Sequence, residues 1–256
     1  MPPVFFHEEG SGPPLVFLHG FCETHEIWKD FVRPLSDRFR IIMPDLPGFG
    51  KSEILPAIFT VDDVGDALAS WLKDHHIVDS LLIGHSLGGY VTLSIAERHP
   101  QLLAGFGLFH STAFGDTIEK KENRNKAIAF VRKHGVQPFI NTFVPGLFFD
   151  KSSQAIPLVH KIACQTKVET LIGYSTAMRD RPDRTSVLIK SKTPKLLIAG
   201  SEDALVAIKA SRKMAKMSQN CSFLELADVG HMGFFEAKEQ CQLITTQFAE
   251  QVFSNN

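Results

Sequence analysis

The chain alternates short apolar runs with segments whose apolar residues recur at helical spacing. A short apolar run bounded by turn residues is typical of a buried strand, and an apolar stripe repeating every three or four residues is typical of a helix. The runs predict strands at 14–21, 39–43, 81–83, 102–109, 194–199 and 222–226. The stripes predict helices at 27–35, 60–75, 90–99 and 204–217, and a final helix that opens within 228–236 and ends near Phe253. This alternation predicts a mostly parallel sheet with helices on both faces.

The alternation stops between about Ala113 and Ser186. This segment begins with a charged stretch at 119–126 and then becomes rich in phenylalanine, and no run in it is typical of a buried parallel strand. A structureless loop of roughly 70 residues is uncommon in a compact domain. We therefore expect a helical insertion at 113–186, which divides an α/β core into residues 1–112 and 187–256.

Ser86 lies between the strand predicted at 81–83 and the helix predicted at 90–99. Its surroundings, Gly84-His85-Ser86-Leu87-Gly88, fit the pattern G-x-S-x-G, in which a serine occupies a strained turn from a strand to a helix. Glycines are needed on both sides because a Cβ atom would clash with the closely approaching backbone. The turn exposes the hydroxyl at a helix N-terminus, where the Leu87 N–H faces a developing negative charge. Ser86 is therefore the candidate nucleophile.

A serine nucleophile needs a base, and the base needs a carboxylate that fixes its tautomer. In a site of this kind the acid and then the histidine follow the serine along the chain. His231 is the only histidine after His160, and it lies in a Gly-flanked loop just past a predicted strand. If the acid follows the strand at 194–199, His231 is the only eligible base.

Asp203 follows the strand predicted at 194–199, at the edge of the sheet where α/β sites assemble. It is the candidate acid, although an aspartate here could instead be the N-cap of the next helix. Asp116, which follows the preceding strand, is the main alternative. Glu202 and Asp228 are weaker candidates, because the first would point differently and the position of the second favours a surface turn.

The loop after the strand at 14–21 is expected to supply the second donor to an oxyanion. We assign this donor to the backbone N–H of Phe21, with Cys22 as the competing donor. His19, in the same loop, is expected to bind loop backbone and not to act as a base.

Composition and charge narrow the class of protein. The chain has 256 residues, 44% of them apolar, which suffices for a substantial core. A net charge of −1 argues against a nucleic-acid surface, and we find no signal-peptide pattern or run of membrane-spanning length. We expect a soluble cytoplasmic protein with neither nucleic acid nor membrane as partner. The cysteines have neither C-x-x-C nor metal-like spacing, so free thiols in a reducing compartment are expected at Cys22, Cys164, Cys221 and Cys241.

Five motifs, in this order, resemble those of the α/β-hydrolase superfamily: His19-Gly20-Phe21, Asp45-x-x-Gly48-x-Gly50-x-Ser52, Gly84-His-Ser-Leu-Gly-Gly89, Gly200-x-x-Asp203 and Gly230-His231. The start of the insertion, at 109–135, is similar to the cap of small serine esterases and enol-lactonases. The resemblance implies an α/β-hydrolase fold, with a mostly parallel sheet flanked by helices and a helical cap inserted after the sixth strand. Ser86 stands where haloalkane dehalogenases and epoxide hydrolases have aspartate, and His85 and Tyr90 depart from residues common in C–C hydrolases and the related menaquinone-pathway synthase.

The resemblance also implies a function. It implies a serine hydrolase that cleaves a small carboxylic ester through an acyl-enzyme, with no metal and no organic cofactor. Its triad would be Ser86, Asp203 and His231, and its oxyanion donors would be the N–H groups of Phe21 and Leu87. A lactone or a C–C bond as the cleaved group is one alternative, and a ligand-binding protein on a hydrolase scaffold is another.

Two features of the cap leave the substrate open. Its phenylalanines imply a mostly apolar pocket for a neutral acyl or alkyl group, or else they only build the core of the cap. Its arginines would either bind a substrate carboxylate or form a solvated face; they are Arg179, Arg181 and Arg184. The oligomeric state is not predicted.

Overall fold

A seven-stranded sheet runs through the computed structural model, which describes residues 3–55 and 58–254. The sheet order is β1-β3-β2-β4-β5-β6-β7, and all neighbours are parallel except β1 and β3. The strands are β1 Phe6–Glu9, β2 Pro14–Leu18, β3 Arg40–Pro44, β4 Ser80–His85, β5 Leu103–Phe109, β6 Lys195–Gly200 and β7 Cys221–Leu226.

Each predicted apolar run forms a strand whose ends differ from the prediction by a few residues. The central strands β2 and β4 are buried along almost their whole length, which explains their continuous apolar sequence. The edge strand β1 was not predicted. Its sequence, Phe-His-Glu-Glu, contains no apolar run, and it pairs only with β3.

Two groups of helices flank the sheet. Helix α1 packs against α11, and α2, α3, α8 and α9 form a second connected group. The helices are α1 Lys29–Ser36, α2 Val61–Asp74, α3 Leu87–Arg98, α4 Ile118–His134, α5 Val136–Leu147, α6 Ile156–Ala163, α7 Val168–Asp180, α8 Thr185–Lys190, α9 Ile208–Met217, α10 Gly233–Glu236 and α11 Lys238–Ser254. The predicted final helix is thus interrupted at Ala237, whose backbone is not helical.

The segment between β5 and β6 is helical, as the sequence predicts, and contains α4 to α8. The prediction that it follows the sixth strand needs correction, because it follows the fifth strand of the described chain. In the described chain a single antiparallel strand, β1, precedes β2, so five strands and not six come before the insertion. Helix α8 crosses residue 186, where the insertion was predicted to end, and it contacts α3 and α9.

An aromatic cluster lies under the carboxyl ends of the central strands. The ring of Trp28 lies 4.7 Å from that of Phe234, 5.2 Å from that of Phe17 and 5.8 Å from that of Phe109. These side chains are almost completely buried, so the loops that follow β2, β4 and β5 lie on a closely packed layer of aromatic rings. No helix in the described part of the chain is both long and apolar enough to cross a membrane.

A very close approach between a strand and a helix occurs at Gly84, near the end of β4. A Cβ atom there would lie 2.3 Å from the carbonyl carbon and oxygen of Gly88 and 2.4 Å from the Gly89 nitrogen. These atoms are backbone, so they cannot move aside without displacing α3. The two elements can meet at this distance only because residue 84 has no side chain.

Replacing Gly84 by Ala is therefore expected to lower the free energy of unfolding by about 3 kcal/mol. The matched control is Gly146→Ala in α5, where an added Cβ meets no atom within 4 Å and alanine favours the helix. Urea unfolding followed by circular dichroism measures both. Equal stability of the two variants would contradict the packing described for the β4–α3 turn.

Candidate active site

Ser86 occupies the strained turn between β4 and α3. Its backbone has φ 50° and ψ −112°, a conformation that costs a non-glycine residue about 1–3 kcal/mol. The Ser86 N–H donates to the Phe109 carbonyl at 2.9 Å, and the Ser111 hydroxyl donates to the Ser86 carbonyl at 2.7 Å. Contacts from β5 and from the loop after it therefore hold the turn, and the serine side chain lies at the carboxyl edge of the sheet.

Asp203 and His231 form a buried hydrogen-bonded pair at the same edge. The Asp203 Oδ2 atom lies 2.7 Å from His231 Nδ1, and both side chains are at most 2% exposed. The other carboxylate oxygen accepts hydrogen bonds from the N–H groups of Leu205 and Val206 at 2.8 and 2.9 Å. Because the carboxylate accepts from Nδ1–H, the Nε2 atom of His231 is left as a proton acceptor.

The Nε2 atom of His231 is buried and has no hydrogen-bond partner among residues 3–55 and 58–254. The residue before Ser86 binds the same loop, because His85 Nε2 lies 3.0 Å from the His231 carbonyl oxygen. The turn that contains Ser86 and the loop that contains His231 are therefore in direct contact, although no Ser86–His231 hydrogen bond is formed. Catalytic hydrogen bonds are often long without substrate and shorten when it binds.

A second histidine, His110, also faces the Asp203 carboxylate and was not predicted. Its Nδ1 atom lies 3.2 Å from Asp203 Oδ2, and its side chain is fully buried. Burial lowers the pKa of His110 to about 4, although Asp203 opposes this shift, so the ring is neutral near neutral pH. Burial also opposes ionisation of Asp203, but His231 and the hydrogen bond from His110 hold the pKa of Asp203 well below its usual range. The sequence signal was present, since His110 directly follows β5.

The alternative acids have other partners. Asp116 forms ion pairs with Arg124 and Arg181. Glu202 is exposed and accepts a hydrogen bond from the Ser201 hydroxyl. Asp228 is exposed in a turn with φ 57°. Of the acids that the sequence left open, Asp203 is the one that the structure places against His231.

Glu23 and His85 form a second buried pair that sequence reasoning missed. The Glu23 Oε2 atom accepts from the Gly20 N–H at 2.5 Å and lies 2.9 Å from His85 Nδ1. The other ring nitrogen of His85 faces a carbonyl oxygen, that of His231, so it must carry a proton. Burial alone would lower the pKa of His85, but the Glu23 carboxylate raises it above its usual value. A protonated His85 thus joins the loop after β2 to the His231 loop.

The predicted oxyanion donors lie at the ends of neighbouring strands. Leu18, the last residue of β2, pairs with Gly84 of β4, so the loop that contains Phe21 lies beside the first turn of α3, where Leu87 is located. Outside helices and strands, no backbone hydrogen bond among the described residues is donated by the N–H group of Phe21 or of Leu87. The competing residue Cys22 is buried, and burial raises the pKa of its thiol.

His19 binds the loop backbone, as expected. Its Nδ1–H donates to the Gly20 carbonyl at 2.8 Å, and its Nε2 accepts from the Leu46 N–H at 2.9 Å. Both ring nitrogens are therefore engaged, and burial lowers the pKa of this histidine. His19 fixes the loop that carries Phe21 relative to the end of β3.

A cavity of about 280 Å³ opens beside Ser86, near the lower end of the size range of small-molecule sites. Phe139 and Phe143 of α5 line it together with Phe21, and the Phe21 and Phe143 rings are 5.9 Å apart. Some of the insertion's phenylalanines therefore face the cavity. Others do not, since Phe148 is buried in the core and Phe130 is exposed.

The three arginines considered as carboxylate ligands are paired within the protein. Arg179 binds Asp180 and Asn125, and the buried Arg181 binds Asp116. Arg184 forms ion pairs with Asp62 and Glu97. None of the three lines the cavity beside Ser86 in the described structure.

The cluster of Asp203, His110 and His231 also has the residue types of a metal site, with potential ligand atoms within 4.8 Å of one another. The carboxylate oxygen nevertheless lies 2.7 and 3.2 Å from the two Nδ1 atoms. Two ligand atoms bound about 2 Å from a tetrahedral metal ion lie about 3.3 Å apart, whereas the 2.7 Å between Asp203 Oδ2 and His231 Nδ1 is shorter and typical of a hydrogen bond. The arrangement fits a hydrogen-bonded acid and base better than a metal centre.

Known proteins are similar to this chain in sequence and in fold. A family profile described as the alpha/beta hydrolase fold matches residues 13–126. Over 241 residues the chain is 28% identical to the dihydrolipoyllysine-residue acetyltransferase component of the acetoin cleaving system of Pseudomonas putida. That match covers 90% of this chain and 61% of the relative, so the chain spans less than two thirds of that protein. An AB hydrolase superfamily protein of Bacillus subtilis is 23% identical, and the match covers 96% of this chain and 95% of that protein.

A solved structure with a similar fold is that of a thermophilic esterase from Thermogutta terrifontis with malate bound. It superposes with a TM-score of 0.91 and 29% sequence identity. The match covers 97% of this chain and 93% of that chain.

Replacing Glu23 by Gln is expected to lower the free energy of unfolding by about 3 kcal/mol near neutral pH, because it breaks a buried pair. The folded chain lowers the pKa of Glu23, so its contribution is present above the usual value of 4.5 and is lost as the pH falls through the folded value. The folded chain raises the pKa of His85, so its contribution is present below 6.5 and is lost as the pH rises through the folded value.

Urea unfolding over a series of pH values measures this effect. The difference between wild type and Glu23→Gln should be greatest between the two folded pKa values and should shrink at lower and at higher pH. Glu26→Gln, an exposed substitution three residues further on, is the control and should cost little at any pH. A pH-independent difference would contradict an ion pair between Glu23 and His85.

Proposed function

We propose that this chain is a hydrolase of the α/β-hydrolase superfamily and that it cleaves a small carboxylic ester through an acyl-enzyme formed on Ser86. The observation that carries the proposal is the buried Asp203–His231 pair, whose free Nε2 atom lies in a loop bound to the residue next to Ser86. The esterase from Thermogutta terrifontis, with its similar fold and 29% identity, supports this reaction class.

The first half of the reaction forms the acyl-enzyme. His231 Nε2 takes the proton of the Ser86 hydroxyl while the oxygen attacks the ester carbonyl carbon. The N–H groups of Phe21 and Leu87 stabilise the oxyanion that forms. When the C–O bond of the ester breaks, the imidazolium of His231 gives its proton to the departing alcohol. Asp203 stabilises this imidazolium and holds its Nδ1–H tautomer.

The second half releases the acid. His231 removes a proton from a water molecule, whose oxygen attacks the acyl carbon, and the same two N–H groups stabilise the second oxyanion. Breakage of the acyl bond to Ser86 returns the proton from His231 to the serine oxygen. The same steps open a lactone, which is a cyclic ester.

The helical insertion completes the proposed enzyme. We propose that residues 113–186 are a cap that closes the binding cavity of the two-part core, since α4, α5 and α7 all contribute residues to the cavity beside Ser86. All four cysteines are unpaired, which supports the reducing, cytoplasmic location expected from their spacing.

Ser86→Ala is expected to reduce the hydrolysis of p-nitrophenyl esters, from acetate to octanoate, by about a thousandfold or more, because the nucleophile is lost. Initial rates for wild type and variant measure this loss, and mass spectrometry of quenched wild type should find the acyl group on the peptide that contains Ser86. Ser36→Ala, at a half-buried position at the end of α1, is the control and should keep wild-type rates. Equal rates for Ser86→Ala and wild type would refute the proposed nucleophile.

Asp203→Asn is expected to lower kcat by about a thousandfold or more, because an amide can hold the wrong tautomer of the histidine. The neighbouring exposed substitution, Glu202→Gln, should leave kcat close to wild type. Steady-state kinetics on the best p-nitrophenyl ester compare the two variants. Near wild-type turnover by Asp203→Asn would show that the acid is assigned wrongly.

A further inference from the structure

We propose that the cavity beside Ser86 contains an anion subsite, formed by Lys120, Asn123 and Arg124 of α4, which binds a carboxylate of the substrate. The inference rests on the proposed function and makes it more specific. The substrate would be a small ester or lactone that carries a carboxylate away from the scissile bond. The sequence alone left this group open, with a neutral acyl or alkyl group as one interpretation of the phenylalanine-rich insertion.

The first step of the argument is the spacing of the three residues. Positions 120, 123 and 124 lie on one face of a helix, since residues three and four apart are neighbours on its surface. All three side chains line the cavity that Ser86 also lines. Among the described residues that line this cavity, none is acidic, so the charge of the lining is positive.

The second step concerns Arg124, whose guanidinium is held at one end only. Its Nε donates to Asp116 Oδ2 at 2.5 Å, and the described residues offer no hydrogen-bond acceptor to its two terminal nitrogens. The other carboxylate oxygen of Asp116 is taken by Arg181 at 2.8 Å. One carboxylate thus faces two guanidinium groups, which leaves one positive charge in excess. A guanidinium fixed through Nε presents its terminal N–H groups as a fork that fits a carboxylate.

Arg181 explains why this excess charge is held in place. Its side chain is 3% exposed, donates to the carbonyl oxygens of Met178 and Phe114, and lies 3.9 Å from the centre of the Tyr90 ring. Arg181 is therefore fully engaged and cannot turn toward a ligand. Its role is to orient Asp116, and Asp116 in turn orients Arg124.

The third step concerns Lys120, at the other end of the three-residue face. Its Nζ donates to the Leu205 carbonyl at 3.0 Å, and it has no ion-pair partner in the part of the chain described. Leu205 also lines the cavity and lies two residues from Asp203. This hydrogen bond therefore links Lys120 of the insertion to the loop that contains Asp203. The ammonium group keeps further N–H donors for a ligand.

The apolar residues that line the cavity indicate the other part of the ligand. Phe21, Phe143 and Met178 supply apolar surface, and the cavity holds about 280 Å³. A substrate that satisfies both parts has a short apolar chain and one anionic end. Esters of small dicarboxylic acids and acyl esters of small hydroxy acids have this chemistry.

The test compares esters that differ only in charge. Monomethyl glutarate carries a carboxylate, and methyl glutaramate carries an uncharged amide of the same shape. Wild type is expected to hydrolyse the acid ester with a kcat/KM at least about ten times that of the amide ester, which corresponds to about 1.4 kcal/mol. The preference should shrink as salt is added. Monomethyl succinate, monomethyl adipate and acetyl glycolate, each with its amide partner, cover other lengths and a carboxylate on the alcohol side.

Three variants locate the source of any preference. Lys120→Met and Arg124→Lys are expected to lower the ratio of the two kcat/KM values by about tenfold, the first by removing a charge and the second by removing the fork. Lys126→Met, on the same helix but outside the cavity lining, should leave the ratio unchanged. Melting temperatures report whether Arg124→Lys keeps the Asp116 cluster intact, and Lys120→Met does not disturb that cluster.

The outcomes separate this inference from the proposed function. If wild type hydrolyses esters but prefers no acid ester over its amide partner, or if Lys120→Met and Arg124→Lys keep the wild-type ratio, the anion subsite is refuted and ester hydrolysis stands. If wild type hydrolyses no ester, the proposed function fails, and titration calorimetry of glutarate with Ser86→Ala decides the subsite. Binding that is weaker in the Ser86→Ala, Lys120→Met double variant supports the subsite, and absent or equal binding refutes it.

Discussion

The left-handed backbone at Ser86 is the constraint on which the rest of the site depends. A strained residue persists only where its surroundings determine its conformation, and here the surroundings come from three elements. The glycines at 84 and 88 let α3 approach β4 and β2 at distances that a Cβ atom would prevent. The Phe109 carbonyl and the Ser111 hydroxyl hold the turn from β5. The position of the serine is therefore fixed by the sheet, and the other loops must reach it.

Three buried carboxylates fix the loops around that serine, and each has at least two partners. They are Glu23 with Gly20 and His85, Asp203 with His110 and His231, and Asp116 with Arg124 and Arg181. A buried charge is costly unless it is paired and hydrogen-bonded. Each loop consequently has one position in which its carboxylate is satisfied. These pairs therefore fix the positions of the loops more than they raise the free energy of unfolding, because desolvation offsets much of the attraction in a buried pair.

The sequence predicted what is local and missed what joins distant segments. Ser86, Asp203 and His231 could be proposed as one site because each follows an apolar strand, and the carboxyl ends of parallel strands meet at one edge. The contact of Glu23 with His85 spans 62 residues and has no periodic signal. The polar strand β1 carries no apolar run. The sequence also did not show that the charged start of α4 faces the cavity, because other segments form that cavity.

The insertion and the core both position His231. The His231 N–H donates to the Leu147 carbonyl at the end of α5, at 2.7 Å. Glu236 accepts from the N–H of Gly230 with one oxygen and from the N–H groups of Phe149 and Asp150 with the other. The loop that carries the histidine is therefore bound to the insertion on both sides. It follows that the insertion does more than line the cavity. The position of α5 and the orientation of His231 are therefore coupled through these hydrogen bonds.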